Sequence, residues 1–138
     1  MQLVRTYAKF VQQADQVFRH HGLTGAQFDV LATLHREEGI MQQELAARLL
    51  VTKGNVTGVV VRMEALGWIE RRPDPSDRRT QRLYLPEGGR AAFAGVAPLR
   101  RGTIQEIMAD FQPEEVRMLT HLLGKLEDGI EKSNGAGK

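Results

Sequence analysis

Residues 52–85, TKGNVTGVVVRMEALGWIERRPDPSDRRTQRLYL, constrain the fold of this chain more than any other stretch. Val56, Val59, Val60, Met63 and Leu66 recur at three- and four-residue intervals, so they share one face of a helix. Lys53, Asn55, Thr57, Gly58 and Arg62 fall wholly or partly outside that face, which leaves a short helix with a small polar surface that a partner can reach. Thr52 is placed to cap the first turn. Asn55 stands three residues on in the capping-box register, with an amide where glutamate or glutamine is usual. Gly67 stops the helix after Leu66, and Trp68 and Ile69 begin an extended arm. The arm turns through Pro73, Asp74, Pro75, Ser76 and Asp77. It returns to Leu85 with Gln81, Leu83 and Leu85 on one side and Arg82 and Tyr84 on the other.

Charge is concentrated in the same stretch. Lys53, Arg62, Arg71, Arg72, Arg78, Arg79 and Arg82 face only Glu64, Glu70, Asp74 and Asp77, a local excess of three in a chain whose net charge is +2. The rest of the chain is therefore close to neutral, and the positive potential has one address. The hairpin cations are all arginines, whose planar fork of donors suits phosphate better than an ammonium does. An ordinary solvated hairpin, with Asp74 and Asp77 holding its tip through surface salt bridges, is the competing reading.

The flanking segments decide what kind of molecule carries this stretch. Thr24 and Gln27 form a capping box, and Phe28, Leu31, Ala32, Leu34 and His35 continue at helical spacing towards Glu38 and Gly39. The segment QQELAARLLV from Gln42 follows as a third helix, with Leu45, Ala46, Leu49 and Leu50 inward, joined to Thr52 by a very short link. Two short helices and a tight turn, the second helix polar outside and followed at once by a charged hairpin, make a winged helix-turn-helix pattern. Such a second helix enters a DNA major groove about 12 Å wide while the first crosses the backbone. A plain three-helix core is the alternative, and it leaves the hairpin charge unexplained.

The chain ends are helical too. Leu3, Tyr7, Phe10, Ala14 and Val17, widened by Val4, Val11 and Phe18, predict an amphipathic helix that Gly22 ends. His20 and His21 are adjacent and point apart, which suits a helix terminus better than a metal site. Beyond Pro86, Ala92, Phe93, Val96, Leu99, Thr103, Ile107 and Phe111 form a long stripe, which Pro98 should kink or split. Val116, Leu119, Leu122, Leu123, Leu126 and Ile130 form a last stripe after Pro113, running into a frayed tail from Ser133. A small winged domain needs no such extra apolar faces for its own core, so the terminal helices predict a homodimer. The expected organisation is mainly α with a small β-hairpin wing: a helical dimerisation region over residues 1–22 and 86–133, a DNA-binding region over 23–85, and a flexible tail over 134–138.

Several function classes drop out. With 138 residues and 41% hydrophobic composition, the chain suits one compact domain or a small domain with long helices left over for a partner, and the lack of cysteine removes disulfides, thiolate metal sites and cysteine redox chemistry. The N-terminus has neither a secretory core nor a bilayer-long apolar run, so the cytoplasm is the expected compartment and no membrane partner is expected. Neither serine nor histidine spacing forms a nucleophile and base set, and Gly88-Gly89-Arg90 lacks the spacing and flanking lysine of a phosphate loop. No enzyme and no cofactor is expected.

The segments LTGAQFDVLATL from Leu23, QQELAARLLVTKGNVTGVVVRMEALGWIERRPDPSDRR from Gln42 and LYLPEGGR from Leu83 resemble the multiple antibiotic resistance regulator (MarR) family of bacterial winged helix-turn-helix proteins, over nearly the whole chain. The resemblance implies a homodimer that binds a palindromic operator, commonly as a repressor relieved by a small ligand. It implies that Thr52, Lys53, Asn55, Thr57 and Gly58 meet bases and backbone, with Arg62 a turn further on. Asp77, with Pro73, Asp74 and Pro75, shapes a wing that brings Arg78 and Arg79 to the minor groove or its phosphates. Three positions depart from the family pattern: Met41 replaces a serine or threonine cap, Val61 a common acidic residue, and Pro86 the usual threonine. The lack of cysteine excludes the thiol-based peroxide sensing of one branch. A hydrophobic or aromatic effector would enter between the first helix and the start of the second, near Arg19, His20, His21 and Phe28, where Phe28 also reads as plain core. The rival class is a non-sensing architectural or protein-interaction DNA-binding protein.

Overall fold

The caps and breakers of the sequence set the element boundaries in a computed structural model that describes residues 1–49 and 54–137. The order is α1 (Gln2–His20), α2 (Gly25–Arg36), α3 (Gln42–Arg48), α4 (Val56–Ala65), β1 (Glu70–Pro73), β2 (Gln81–Tyr84), α5 (Glu87–Ile107) and α6 (Pro113–Gly135). The chain forms two compact units, Met1–Thr103 and Ile104–Lys138.

In the first unit α1 ends on a left-handed Gly22 (φ 72°), and the His21 ring donates from Nδ1 to the Val17 carbonyl at 3.0 Å. That bond satisfies a carbonyl orphaned by the helix end. Thr24 then opens α2 with a reciprocal capping box: Thr24 Oγ1 accepts from the Gln27 amide at 3.1 Å, and Gln27 Oε1 accepts from the Thr24 amide at 3.0 Å. The start of α3 lacks a side-chain cap from Met41, but Glu44 Oε1 accepts from the Met41 amide at 3.2 Å, so half of the box survives without the hydroxyl.

Leu31, Leu34, Leu45, Leu49, Val60, Met63 and Leu83 are fully buried and weld α2, α3, α4 and the hairpin into one core. Each such aliphatic side chain contributes about 1.5–3 kcal/mol through burial. The hairpin pairs antiparallel with Glu70 opposite Tyr84, Arg71 opposite Leu83, Arg72 opposite Arg82 and Pro73 opposite Gln81. Residues 39 and 40 add a third rung, because the Gly39 amide donates to the Leu83 carbonyl at 2.8 Å and the Leu83 amide to the Ile40 carbonyl at 2.9 Å. Beyond it a side-chain pair takes over: Glu38 Oε1 accepts from the Leu85 amide at 2.8 Å, and Arg90 Nε donates to the Leu85 carbonyl at 3.0 Å. Glu38 and Arg90 are also ion-paired at 3.1 Å, so the passage from β2 to α5 is clamped to the end of α2. A Cβ at Gly89 would stand 2.1 Å from the Trp68 carbonyl, so Gly88-Gly89 serves backbone packing of α5 on the end of α4.

Four expectations change. First, α4 begins at Val56 with Asn55 as its cap; Leu50, Val51, Thr52 and Lys53, on which the expected short link and the Thr52 cap fall, lie outside the described residues. Second, Leu66 is 53% exposed instead of facing inward, because the helix ends at Ala65 and the left-handed Gly67 (φ 75°) turns the chain. Third, of the kink or split expected at Pro98 the split does not occur, since α5 continues from Glu87 to Ile107 with the proline inside it. Fourth, α6 continues past Ser133 to Gly135, with the cation of Lys132 in its last turn, where the helix dipole favours positive charge.

In the second unit, α6 opens on Gln112 and Pro113 and contains no buried residue among those described. Val116, Leu119, Leu123, Leu126 and Ile130 are between 38% and 54% exposed and alternate by three and four residues, the spacing of a helix seam that wants a partner. No described helix is long and apolar enough to cross a membrane.

Candidate nucleic-acid interface

Burial divides α4 cleanly. Val56, Val59, Val60 and Met63 are buried, whereas Thr57, Val61, Arg62 and Ala65 are exposed and Gly58 is half-buried. Asn55 Oδ1 accepts from the Gly58 amide at 2.9 Å, satisfying one of the free donors of the first turn. Gly58 is needed for this cap, since a Cβ there would stand 2.3 Å from the Asn55 side-chain nitrogen. The capping oxygen of Asn55 is therefore committed to the helix. Its amide NH2 is the part left to meet a ligand.

Thr57 is held from the side. Gln42, at the start of α3, donates from Nε2 to Thr57 Oγ1 at 2.8 Å and accepts at Oε1 from Arg71 at 3.2 Å. Arg71 in turn pairs through Nε with Glu64 at 2.9 Å. One chain of bonds thus joins α3, α4 and β1. Sequence reading missed Gln42 and Arg71 as organisers, because no local pattern reveals a contact across 15 or 29 residues.

The wing is organised by its two aspartates. Asp74 Oδ1 accepts from the Ser76 amide at 2.8 Å and hydroxyl at 2.6 Å, and Oδ2 pairs with Arg82 Nε at 2.5 Å. The Ser76 hydroxyl and amide, followed by Arg82, hold the Asp74 carboxyl well below the usual carboxylate range. Asp77 makes a second turn of the same kind, accepting from the Arg79 amide at 3.0 Å and the Thr80 hydroxyl at 3.2 Å. Pro73 closes the ladder opposite Gln81, and Pro75 is exposed between the aspartates.

These bonds sort the hairpin arginines. Arg71 pairs with Glu64 and Arg82 with Asp74. Arg72 pairs with Glu70 at 3.0 Å, holding the Glu70 carboxyl below its ordinary value, and lies over the Tyr84 ring at 4.3 Å. Arg82 also donates to the Gly39 carbonyl at 2.7 Å. Arg62, Arg78 and Arg79 are exposed, and none has an ion-pair partner among the described residues. Unpaired cations thus lie on the outer face of α4 and at the wing tip. Thr52 and Lys53 fall outside the described residues.

The four residues read as an effector site are not gathered in one place. Phe28 is 5% exposed and stacked between Phe18 and Phe93, with ring centroids at 4.7 and 5.7 Å. His21 borders a cleft of about 340 Å³ with Leu23, Trp68, Ala92 and Val96. Arg19 and His20 are exposed at the end of α1. A different residue stands out at Phe28: Arg100 of α5 lies 5.0 Å over its ring, and its buried Nε has no hydrogen-bond partner among the described residues. Arg100, Phe10, Val11, Asp15 and Phe18 line a narrow crevice beside Phe28. Sequence reading passed over Arg100 because one of two adjacent arginines in an amphipathic helix looks like surface charge.

A half-exposed helix after a short helix and a hairpin with cationic tip define the winged helix-turn-helix class of DNA-binding proteins. The profile of the MarR family matches residues 21–80. The transcriptional regulator PecS of Dickeya dadantii is 31% identical over 116 residues, covering 82% of this chain and 70% of PecS. Among solved structures, a cysteine-to-serine variant of Escherichia coli MarR complexed with operator DNA superimposes with a TM-score of 0.80 at 29% identity, over 91% of each chain. Bordetella bronchiseptica BpsR, whose DNA binding is regulated by 6-hydroxynicotinic acid, gives 0.81 at 28% identity, over 91% of this chain and 90% of BpsR. The chain belongs to the MarR family of winged helix-turn-helix transcriptional regulators. It is a DNA-binding regulator and not an enzyme.

Proposed function

We propose that this protein is a homodimer that binds a pseudo-palindromic double-stranded operator as a repressor and is released from it by a small hydrophobic or aromatic ligand. The carrying observation is that Arg62 on α4 and Arg78 and Arg79 on the wing have no ion-pair partner among the described residues, beside arginines that are tied into the fold. Exposed Thr57 and Arg62, with half-buried Gly58 between them, form the edge of α4 that enters the major groove, with Asn55 at its start. Thr52 and Lys53 precede that edge in sequence, and the wing arginines reach the flanking phosphates or the minor groove. Exposed Val61 lies on the same edge, where a methyl group suits the thymine methyl. The operator complex of the Escherichia coli relative supports this docking.

Release by a ligand rests on Arg100. A buried guanidinium nitrogen without a partner, against the Phe28 ring, suits the carboxylate or hydroxyl of an aromatic compound that wedges α1 away from α2 and α5. The regulation of BpsR by 6-hydroxynicotinic acid supports this chemistry. The test is selection of bound sequences from random DNA, starting with the DNA around the protein's own gene, followed by titration of aromatic carboxylates into the complex. An inverted repeat released by such a compound is expected, with release lost in Arg100→Gln. A specific operator that no such compound releases favours the architectural reading.

A further inference from the structure

Thr57 is exposed, yet its hydroxyl oxygen is already engaged, and the direction of that engagement has consequences for what it can read. Arg71 can only donate, so the Gln42 atom facing it at 3.2 Å is the carbonyl Oε1. The Gln42 amide is thereby oriented: its NH2 faces Thr57 and donates to Oγ1 at 2.8 Å. Arg71 itself is held by the Glu64 carboxylate at 2.9 Å, so the sequence of bonds has one polarity from end to end. The Thr57 oxygen accepts on its inner side, and its proton has no acceptor among the described residues. With Gln42 donating to the inner side, that proton can be offered to a partner outside α4.

We infer that Gln42 and Arg71 are positioning residues that occupy one lone pair of Thr57 and bias its hydroxyl towards donating, so that it favours a base presenting an acceptor in the major groove. A free threonine hydroxyl both donates and accepts and discriminates poorly between base edges. A hydroxyl polarised in this way selects the acceptors of a purine N7, guanine O6 or thymine O4 over the amino groups of cytosine and adenine. The inference rests on the reading above that the outer face of α4 meets DNA.

Gln42→Glu tests it, because a carboxylate still accepts from Arg71 but cannot donate to Thr57. The threonine proton then turns inward, its lone pairs face the groove, and its preference inverts. Thr57→Val is the companion, removing the hydroxyl at constant shape. Affinities are measured for an operator set carrying all four bases at each half-site position, each normalised to random DNA so that the added charge of Gln42→Glu cancels. Thermal unfolding confirms that each variant is folded.

Relative to the wild type, Thr57→Val should cost about tenfold in discrimination at one position per half-site. At that same position Gln42→Glu should shift the favoured base from an acceptor to an amino donor. Gln42→Met, which frees the hydroxyl to rotate, should flatten the preference without inverting it. If Thr57→Val leaves the whole base profile unchanged, or lowers all sequences together, Thr57 does not read bases and the docking of α4 is wrong at this residue. If Thr57→Val flattens one position while Gln42→Glu keeps the original base there, Thr57 reads DNA but the polarity imposed by Gln42 is refuted.

Discussion

Asn55 and Gly58 depend on each other, and their pairing makes a prediction at the scale of single residues. Alanine at Gly58 gains about 1 kcal/mol of helix propensity. Its Cβ, however, would stand 2.3 Å from the Asn55 side-chain nitrogen and displace the cap, which is worth about 0.5–2 kcal/mol. Gly58→Ala should thus be near neutral in the wild type, whereas Asn55→Ala should destabilise. In the Asn55→Ala background the same Gly58→Ala change should stabilise by up to about 1 kcal/mol. Urea unfolding of the four proteins checks the coupling, and strict additivity would show that alanine at Gly58 does not displace the cap. Residue pairs of this kind set the limit of what sequence could tell. Thr52 and Asn55 are both good caps, and the apolar spacing starting at Val56 is compatible with either; only the closure of Asn55 Oδ1 on the Gly58 amide separates them. Asp74 gives a second prediction. Its carboxyl is held below the ordinary range in the folded wing, so its ionised form stabilises the fold in full above the ordinary carboxylate value, and that contribution is lost as pH falls below it. The stability difference between the wild type and Asp74→Asn, followed by urea unfolding from pH 6 to about 3, should narrow on acidification. A difference that stays constant would remove Asp74 from the wing's support.

At the scale of elements, the wing shows how a count of charges becomes a division of labour. The hairpin's arginines look alike in sequence, but Arg71, Arg72 and Arg82 serve Glu64, Glu70 and Asp74, while Arg78 and Arg79 have no acidic partner among the described residues. The competing picture of a tip held by surface salt bridges holds for one aspartate of the two: Asp74 does pair with Arg82, but Asp77 bonds backbone and Thr80 and leaves both tip arginines free. Sequence made the hairpin and its turn legible because proline, aspartate and strand alternation are local signals. The role of Arg71 was hidden because it depends on Glu64 and Gln42, which lie in other elements. The same limit applied to Leu66, whose spacing matched the buried face but whose position falls past the helix end. Arg79→Ala should weaken binding to operator and random DNA alike. It should also reduce the magnitude of the log affinity versus log salt slope by roughly 0.9, the signature of one lost phosphate contact. Arg72→Ala, by contrast, should leave the slope nearly unchanged, since its charge is already compensated by Glu70. An operator-only loss for Arg79→Ala, with an unaltered slope, would reassign it to reading the shape of the minor groove.

At the scale of the whole molecule, the decisive fact is the amount of apolar surface that the described residues of one chain leave uncovered. Leu3, Val4, Tyr7 and Phe10 are exposed on α1 in the first unit, and the second unit exposes the full stripe from Val116 to Ile130 on α6. A monomer does not keep such stripes in water without cost; at about 25 cal/mol per Å², their burial is a large reserve of free energy that only another surface can release. The three- and four-residue alternation of Val116, Leu119, Leu123, Leu126 and Ile130 specifies the shape of that surface as another helix. A second copy of the chain supplies one, and a two-fold pairing is also what an inverted-repeat operator requires, because it sets two α4 helices about 34–36 Å apart along the DNA. Obligate interfaces of this type bury roughly 2,000–5,000 Å². Sedimentation at low micromolar concentration should therefore give a dimer, and footprinting should protect a pseudo-palindrome on one face of the duplex. Leu119→Asp combined with Leu123→Asp places two carboxylates in the seam, where they would be buried without partners. Dimerisation should be lost, and with it much of the cooperative thermal transition, because a chain whose helices are covered only by its partner has little stability alone. A control pair on the polar side of the same helix, Lys125→Asp with Glu131→Lys, should leave the dimer intact. If the seam variant remains a folded dimer, or if the wild type sediments as a stable monomer that still binds the full operator, α6 is not the surface that joins the two copies.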